Sequence, residues 1–332
     1  GEGTIDSLLI AMGGKKIELN VTGPTGDDVP VTYGILGDGK TAVIEMAAIA
    51  GFSLVPKEKR NPFRLTTLGI GECILDALDR GYRRFIIGLG GSVTNDGGIG
   101  MLQALGVSFR DVEGKEVAPF PAFLTTVKTV DYSAIDPRIW EVDIKVASDV
   151  NNPLCGPNGA SHVFGPQKGA TPAQVKELDN SLAVYADIVE AHLQQTYRHA
   201  PGAGASGGFG FALLTIGASL NSGAALVAEA ANLEERLKRV DWVITGEGKT
   251  DHQTLHGKVP FYVANLAKKH SVPTILISGS LDDDIEPLFA VFDSMHAIPN
   301  GAITAEQSMK QTEALLKQKV RNIARLLNVS AQ

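Results

Sequence analysis

Two segments of the chain concentrate the side chains that could do chemistry, and each follows an apolar run. The first, residues 88–98 (GLGGSVTNDGG), lies between the apolar run 85–87 and a helix-type stretch that begins at Ile99. A strand, a glycine loop and a helix in this order direct free backbone N–H groups at an anion. The candidate contacts for an anionic ligand are Gly90, Gly91, Ser92, Thr94 and Asn95. The alternative is a tight turn whose glycines only permit unusual φ angles and whose polar residues cap the helix.

The second segment, residues 246–258, follows a predicted strand at 241–245 and holds two carboxylates, two lysines, two histidines and three glycines. Carboxylates at a strand end can hold Mg²⁺ or take a proton, and lysines can neutralise phosphate charge. The glycines favour a functional loop over a solvated one, because a solvated loop has little need of positions that permit positive φ. The residues of interest are Gly246, Glu247, Gly248, Lys249, Asp251 and Lys258.

Two further glycine-rich segments add candidates. Asp149 opens a polar loop after the predicted strand 144–148, at the strand end where α/β proteins bind ligands. Residues 202–207 (GAGASG) match the dinucleotide fingerprint, but helix-type residues precede them, which argues against a nicotinamide-dependent dehydrogenase. Gly202 and Gly204 could still receive an anion, and close helix packing through glycine explains them about as well.

Residues 34–41 (GILGDGKT) match the phosphate-binding P-loop pattern letter for letter. That motif requires a strand before the loop and a helix after it. Here β-type residues lie on both sides, and Asp38-Gly39 is a hairpin signal. The sequence therefore predicts a hairpin between strands at 31–36 and 41–46 instead of a nucleotide site.

The elements that must position these loops alternate between short apolar runs and helical patterns, which predicts an α/β fold. The predicted helices lie at 5–12, 67–80, 171–197, 224–239, 259–270 and 306–327. The clearest helix start is Thr171-Pro172, with Gln174 three residues after the threonine in a capping box. A chain of 332 residues favours two domains on a prior of ~150 residues per domain.

Composition excludes several classes of function. The net charge of −7 is spread along the chain without a basic block, which argues against a nucleic-acid partner. No apolar run reaches the ~18–20 residues that a membrane span needs. The two cysteines, Cys73 and Cys155, form neither a disulfide framework nor a metal cluster, which fits a reducing cytoplasm.

Taken together, the motifs resemble those of the type I glycerate kinase family. The matching stretches extend in order over nearly the whole chain, and many of them are long. They are GEGT at 1–4, VTGPTGD at 21–27, YGILGDGKTAVIEMA at 33–47, NPF at 61–63, GLGGSVTNDGGIGMLQALGV at 88–107, ASDVNNPLCGPNGA at 147–160, FGPQKGATP at 164–172, GAGASGGFGFALL at 202–214 and VITGEGKTDHQT at 243–254.

The resemblance implies ATP-dependent phosphorylation of D-glycerate, commonly at the 2-hydroxyl, with Mg²⁺ as cofactor. It also implies two α/β domains around a cleft, one flavodoxin-like (Rossmann-like) with a parallel sheet and the other with a mixed sheet. We expect residues 1–14 plus 205–332 to form the flavodoxin-like domain, and residues 15–204 to form an inserted mixed-sheet domain. Oligomeric state stays open, and a homo-oligomer is compatible with the sequence.

The resemblance also suggests roles for the candidate residues. Asp251 is expected to act as the base or as a metal-linked carboxylate, with Lys249 and Lys258 facing phosphate. The 90–95 loop would hold an anionic group, either the glycerate carboxylate or a phosphate, and Glu247 would contact the substrate. The expected nucleotide contacts are Gly202, Gly204, Gly246 and Gly248, and the expected Mg²⁺ ligands are Asp149 and Asp96.

One departure from the family pattern concerns the beginning of the chain. The family opens with a strand and a lysine-bearing segment upstream of GEGT, and this sequence starts at GEGT. We therefore expect that an N-terminal piece is missing. The alternative function is accordingly a truncated, non-catalytic protein that binds glycerate or a nucleotide.

Overall fold

The computed structural model describes residues 3–256, 258–301 and 303–330. The chain folds into two compact α/β units, Gly1–Leu226 and Val227–Gln332. The first unit contains α1 (Thr4–Met12), β1 (Gly14–Thr22), β2 (Asp28–Leu36), β3 (Thr41–Glu45), α2 (Met46–Ala50), α3 (Leu68–Asp79), β4 (Arg84–Gly88), α4 (Ile99–Ala104), β5 (Ser108–Arg110), β6 (Thr129–Asp131), β7 (Asp143–Ala147), α5 (Ala160–Phe164), α6 (Pro172–Leu193), α7 (Ala205–Thr215) and β8 (Ser219–Asn221). Helix α8 (Gly223–Ala230) crosses the boundary, and the second unit continues with α9 (Leu233–Leu237), β9 (Val243–Thr250), α10 (Val259–Lys269), β10 (Thr274–Leu281), β11 (Ser294–Ala297), α11 (Ala305–Lys310) and α12 (Thr312–Ser330).

The first unit is built on a mixed six-stranded sheet in the order β1-β2-β3-β4-β7-β8. Strands β1, β2 and β3 pair antiparallel, whereas β3, β4, β7 and β8 pair parallel. The parallel strands therefore end at one common edge, and the 88–98 loop and Asp149 follow two neighbouring strands at that edge.

The predicted hairpin at 34–41 is confirmed, since β2 and β3 pair antiparallel with Gly34 opposite Val43. Asp38 closes the turn, because its carboxylate accepts hydrogen bonds from the backbone N–H groups of Lys40 and Thr41 and from the Thr41 hydroxyl. Burial alone would raise the pKa of Asp38, but these three hydrogen bonds together outweigh burial and hold the pKa below its usual range. The P-loop pattern is thus a hairpin in this chain.

The helices of the first unit bury the apolar positions that their spacing predicts. Ile70, Ile74 and Leu78 of α3 are buried in the main core. The buried face of α6 is formed by Val175, Leu178, Ser181, Leu182, Tyr185, Ala186 and Val189. The predicted capping box is also present, because the Thr171 side chain accepts from the Gln174 N–H and the Gln174 side chain accepts from the Thr171 N–H.

The second unit has a parallel three-stranded sheet in the order β11-β10-β9. Strand β9 is longer than predicted and takes in Gly246–Thr250, which was expected to form a loop. Neither Gly246 nor Gly248 has a positive φ. The prediction that these two glycines permit positive φ in a functional loop is therefore wrong. A Cβ at Gly246 would lie 2.5 Å from the carbonyl oxygen of Ile277 in β10, so the missing side chain permits close approach of the strands.

The structure differs from three predictions about where a domain or a helix begins and ends. The observed units divide at 226/227 instead of 204/205, and residues 3–13 belong to the first unit, where the Ile5 N–H donates to the Glu45 carboxylate. The predicted helix 224–239 is split, because Asn232 adopts a left-handed conformation before α9. The predicted helix 306–327 is interrupted at Gln311, between α11 and α12.

Candidate functional site

The exposed part of the 88–98 loop is its backbone, not its polar side chains. Gly90 and Gly91 are exposed, whereas Ser92, Thr94 and Asn95 are buried. The Ser92 and Thr94 hydroxyls lie 3.2 Å apart, and the Asn95 amide donates to the Ser161 hydroxyl at 3.0 Å. The loop therefore presents two consecutive glycines to solvent, while its hydroxyls contact each other and the Asn95 amide nitrogen binds Ser161.

Asp96 is fully buried and joins the first turns of two helices. Its Oδ2 accepts from the Thr67 N–H at 2.8 Å and from the Thr67 hydroxyl at 2.7 Å, at the start of α3. Its Oδ1 accepts from the Gly98 N–H at 3.1 Å, at the start of α4. Burial raises the pKa of Asp96, and these hydrogen bonds oppose that rise. These contacts give Asp96 a structural role between α3 and α4 and argue against its assignment as a metal ligand.

Lys168 is a residue at this site that the sequence pattern does not indicate. Its ammonium group is buried and donates to the carbonyl oxygen of Thr94 at 2.6 Å. Burial lowers the pKa of Lys168 to about 7, and the nearby Asp96 carboxylate limits that decrease. The turn Pro166–Lys168 has no apolar periodicity, and a lysine in such a turn is ordinarily solvated, so the sequence carries no signal of its burial.

Asp149 is the exposed carboxylate at the same edge of the sheet. It follows β7, the strand next to β4, and one of its oxygens accepts the Gly223 N–H at 2.9 Å. Because this bond uses one lone pair of one oxygen, the carboxylate keeps capacity for a further ligand. Of the two Mg²⁺ ligands expected from the sequence, Asp149 is thus the exposed one and Asp96 the buried one.

The segment 202–210 packs directly on the 88–98 loop. The Ser206 hydroxyl donates to the carbonyl oxygen of Leu89, and the Gly97 N–H donates to the carbonyl oxygen of Gly207 at 3.0 Å. The Gly204 N–H donates to the carbonyl oxygen of Asn152 at 2.9 Å, so it is not available to a nucleotide phosphate. Three glycine-rich segments of the first unit therefore meet in the folded chain.

Close packing accounts for the first two glycines of this segment. A Cβ at Gly204 would lie 2.1 Å from the carbonyl oxygen of Pro153, and a Cβ at Gly202 would lie 2.8 Å from the Leu220 side chain. The alternative of glycine-mediated packing thus explains both positions. The residues before them form α6 and a turn, which agrees with rejection of the dinucleotide fingerprint.

We expect Gly207→Ala to destabilise the first unit by about 2–5 kcal/mol. Gly207 has a φ of +69°, and a Cβ would lie 2.2 Å from the Thr94 carbonyl oxygen and 2.5 Å from the Asn95 Cα. A left-handed alanine costs about 1–2 kcal/mol, and overpacking adds about 1–3 kcal/mol. Urea denaturation measures the change in the free energy of unfolding.

Gly114→Ala is the matched control for this clash. Gly114 has a φ of +76° and nothing within 4 Å of the position of a Cβ, so only the left-handed cost of about 1–2 kcal/mol applies. Equal destabilisation by the two variants would contradict close packing between the 202–210 segment and the 88–98 loop.

In the second unit, Glu247 organises the end of β9. Its Oε1 accepts from the Thr250 hydroxyl at 2.8 Å and from the Thr254 hydroxyl at 2.7 Å. Its Oε2 lies 3.4 Å from the Lys258 ammonium nitrogen. Both oxygens of Glu247 are thus engaged within the protein, which favours a role in holding Lys258 over direct contact with a substrate.

Lys258 also lies 3.2 Å from Oδ1 of Asp251, so the structure brings Glu247, Asp251 and Lys258 together. Lys249 lies apart from this group and pairs with Asp282 at 3.2 Å, with more than half of the lysine side chain exposed. Of the four charged residues predicted in this segment, three therefore form one cluster. Gly257, which also belongs to the predicted segment, lies outside the described residues.

Two features of the described residues bear on cofactors and membranes. No group of three or more histidine, cysteine, aspartate and glutamate side chains in that part of the chain could hold a metal ion. In the same residues, no helix is both long and apolar enough to cross a membrane.

The first unit is an α/β structure in which the parallel part of a mixed sheet carries an exposed glycine turn and an exposed carboxylate at its carboxyl edge, the place where α/β proteins bind small ligands. Comparison with known proteins narrows this class. A model of the glycerate kinase family matches residues 1–328, and the chain belongs to that family.

Individual relatives are similar over most of the chain. A glycerate 2-kinase from Escherichia coli (strain K12) is 51% identical over 286 residues, which are 86% of this chain and 75% of the relative. A glycerate kinase from Bacillus subtilis (strain 168) is 47% identical over 326 residues, 98% of this chain and 85% of the relative. A crystal structure of a candidate glycerate kinase 2 from Salmonella typhimurium LT2 matches with a TM-score of 0.89 and 43% identity, covering 100% of this chain and 87% of the other.

Proposed function

We propose that this chain transfers the γ-phosphoryl group of ATP to D-glycerate and releases ADP. Membership of the glycerate kinase family supports the substrate and the class of enzyme, a phosphotransferase. The 51% identity to a protein named glycerate 2-kinase supports the 2-hydroxyl as the acceptor. The observation that carries the proposal within the structure is the exposed Gly90-Gly91 turn at the carboxyl end of β4.

The Gly90-Gly91 turn is the proposed site for the carboxylate of glycerate. Backbone N–H groups at a glycine turn after a parallel strand bind anions without the desolvation cost of a buried cation. Two buried side chains hold the loop in place: Lys168 donates to the Thr94 carbonyl oxygen, and Asp96 accepts from the Gly98 N–H. Ser92, Thr94 and Asn95, first considered as substrate contacts, instead give the turn its shape.

The cluster in the second unit is the proposed centre for proton and phosphate chemistry. Asp251 would act as the base or as a metal-linked carboxylate, and Lys258 would neutralise phosphate charge. Glu247 would hold the Lys258 ammonium group in place through their 3.4 Å contact. Lys249 remains a proposed phosphate contact, although it would have to leave Asp282 to serve as one. Gly248, exposed and with nothing within 4 Å of the position of a Cβ, supports a nucleotide contact better than Gly246 does.

Asp149 is the proposed protein ligand for Mg²⁺ in the first unit. Mg²⁺ in kinases is commonly held by one or two carboxylates together with water and substrate phosphates, so a three-residue cluster is not required. The exposed Asp149 carboxylate, with one oxygen bonded to the Gly223 N–H, fits that ligand set. When bound, the ion neutralises charge on the transferred phosphoryl group.

The purified chain, assayed with D-glycerate, ATP and MgCl₂, tests the function directly. We expect ADP release that depends on glycerate, and a ³¹P NMR signal that identifies 2-phosphoglycerate. A signal from 3-phosphoglycerate would overturn the acceptor hydroxyl only. Glycerate binding by calorimetry without ADP release would instead indicate a non-catalytic binder.

The unpaired Cys73 and Cys155 fit our further proposal of a cytoplasmic location.

A further inference from the structure

Ser206 has a backbone conformation that is rare for its residue type. Its φ of 53° and ψ of 42° lie in the left-handed region, and Gly207 and Gly208 follow in the same region. The other left-handed residues besides glycine in the described part of the chain are Gln194, Asn232 and Ser271. Those three lie at or near helix ends, where such a conformation is common. Strained backbone elsewhere tends to cluster at functional sites, so Ser206 calls for an explanation.

The strained conformation aims the Ser206 hydroxyl at one atom of the neighbouring loop. The hydroxyl donates a hydrogen bond to the carbonyl oxygen of Leu89. That carbonyl and the N–H of Gly90 belong to one peptide group, which is planar and trans, so they point in opposite directions. By fixing the Leu89 carbonyl, Ser206 fixes the direction of the Gly90 N–H.

Among the described residues, other contacts hold the rest of the turn, and Ser206 holds the carbonyl of the Leu89–Gly90 peptide. The Phe52 N–H donates to the carbonyl oxygen of Gly91 at 3.1 Å, and Lys168 binds the carbonyl oxygen of Thr94. On the preceding side, the Leu89 N–H donates to the carbonyl oxygen of Ala147 at 3.2 Å. Between these contacts lies the Leu89–Gly90 peptide, and glycine at 90 and 91 leaves it free to rotate unless the carbonyl is held.

We propose that Ser206 is a positioning residue that orients the Gly90 N–H toward the carboxylate of glycerate. The inference rests on the proposed function, because the carboxylate is the group that the Gly90-Gly91 turn is proposed to bind. It goes beyond that function by giving the 202–210 segment a role in substrate recognition instead of nucleotide binding. The strain at Ser206 is then the structural cost of bringing a hydroxyl to this carbonyl.

The test is Ser206→Gly, which removes the hydroxyl and also the strain. We expect kcat/KM for glycerate to fall about 10- to 100-fold, mainly through KM, because a misdirected contact weakens binding. KM for ATP should be unchanged, and the urea midpoint should not fall, because relief of strain offsets the lost hydrogen bond. Ser206→Ala should show the same rise in KM together with a lower urea midpoint.

Ser271→Gly is the matched control. Ser271 is an exposed serine with a φ of 57° in the second unit, and it has no part in the proposed site. This variant should gain stability from the same relief of strain and keep the wild-type KM for glycerate. Nuclear spin relaxation of ¹⁵N in the free protein gives a second readout: the order parameter of the Gly90 N–H bond should fall in Ser206→Gly and not in Ser271→Gly.

The outcomes separate this inference from the proposed function. Wild-type turnover of glycerate with an unchanged KM in Ser206→Gly would overturn the role of Ser206 alone. Absence of wild-type turnover and binding would overturn the proposed function, and an unchanged order parameter of the Gly90 N–H bond would then still overturn the positioning role. A lower order parameter in Ser206→Gly supports that role whatever the ligand is.

Discussion

Raising the pH from 7 to 9.5 should stabilise the wild-type protein by about 3 kcal/mol more than it stabilises the Lys168→Met variant. The cause is the buried Lys168 ammonium group, whose pKa in the folded protein is lowered to about 7 from the usual 10.5. Between these two pKa values the unfolded chain binds the proton more tightly than the folded chain. The free energy of unfolding therefore rises with pH over this window, and the effect is complete near pH 10.5.

Asp96 is the titratable group that faces Lys168. Its titration should change the stability difference between the wild type and Lys168→Met in the same direction as the titration of Lys168 does. Burial raises the pKa of Asp96, so the folded state holds an Asp96 proton more tightly and loses stability as the pH rises past that pKa. Loss of the Lys168 charge removes an attraction that favours the ionised carboxylate. The variant should therefore lose more stability than the wild type through Asp96, which widens the difference at higher pH.

Urea denaturation at pH 7, 8, 9 and 9.5 measures the difference between the two proteins. Lys176→Met is the matched control, because Lys176 is exposed on α6 and its ammonium group stays in water. The free energy of unfolding of this control should depend on pH in the same way as that of the wild type. Parallel curves for wild type and Lys168→Met would show that the Lys168 ammonium group is not desolvated in solution.

Asp251→Asn should lower kcat by about 10²- to 10⁴-fold, the range typical for the loss of a general base. The substitution keeps the size of the side chain and an oxygen for the Lys258 contact, which is 3.2 Å long in the wild type. We therefore expect a change in the urea midpoint that is small beside the loss of turnover. Steady-state kinetics with both substrates measures the effect.

Asp283→Asn is the control for that experiment. Asp283 is an exposed carboxylate just beyond β10, the strand that pairs with β9 in the same sheet, and it has no part in the proposed chemistry. It should keep wild-type turnover. Wild-type turnover in Asp251→Asn would remove Asp251 from the mechanism, and a large fall in Asp283→Asn would point to a general effect of charge in this unit.

The sequence predicts the fold well where apolar spacing is regular. The buried stripe of α3, the long α6 with its capping box, and the hairpin at Asp38 all follow from local pattern and are confirmed. The prediction of a loop is wrong at Gly246 and Gly248, which lie in β9. At Gly246 the reason for glycine is the Ile277 carbonyl oxygen on the next strand, and the local sequence does not distinguish such a glycine from one in a loop.

The sequence indicates where the candidate site lies along the chain, but it does not indicate which groups face the solvent there. Glycines and polar residues after apolar runs mark the strand ends, but nothing in their spacing shows that Ser92, Thr94 and Asn95 point inward. Burial of Lys168 and the contact between Ser206 and Leu89 depend on segments 74 and 117 residues away in the chain. Such contacts are properties of the tertiary fold and leave no local pattern.

Contacts from four distant parts of the chain, at Phe52, Thr67, Lys168 and Ser206, converge on the segment from Leu89 to Asp96. The conformational entropy of this segment is therefore lost when the protein folds, and little remains to be lost when a ligand binds. A turn that would be flexible in isolation is thus preorganised for the proposed ligand, since a small acid with only a few polar atoms offers little binding energy to offset ordering of its site.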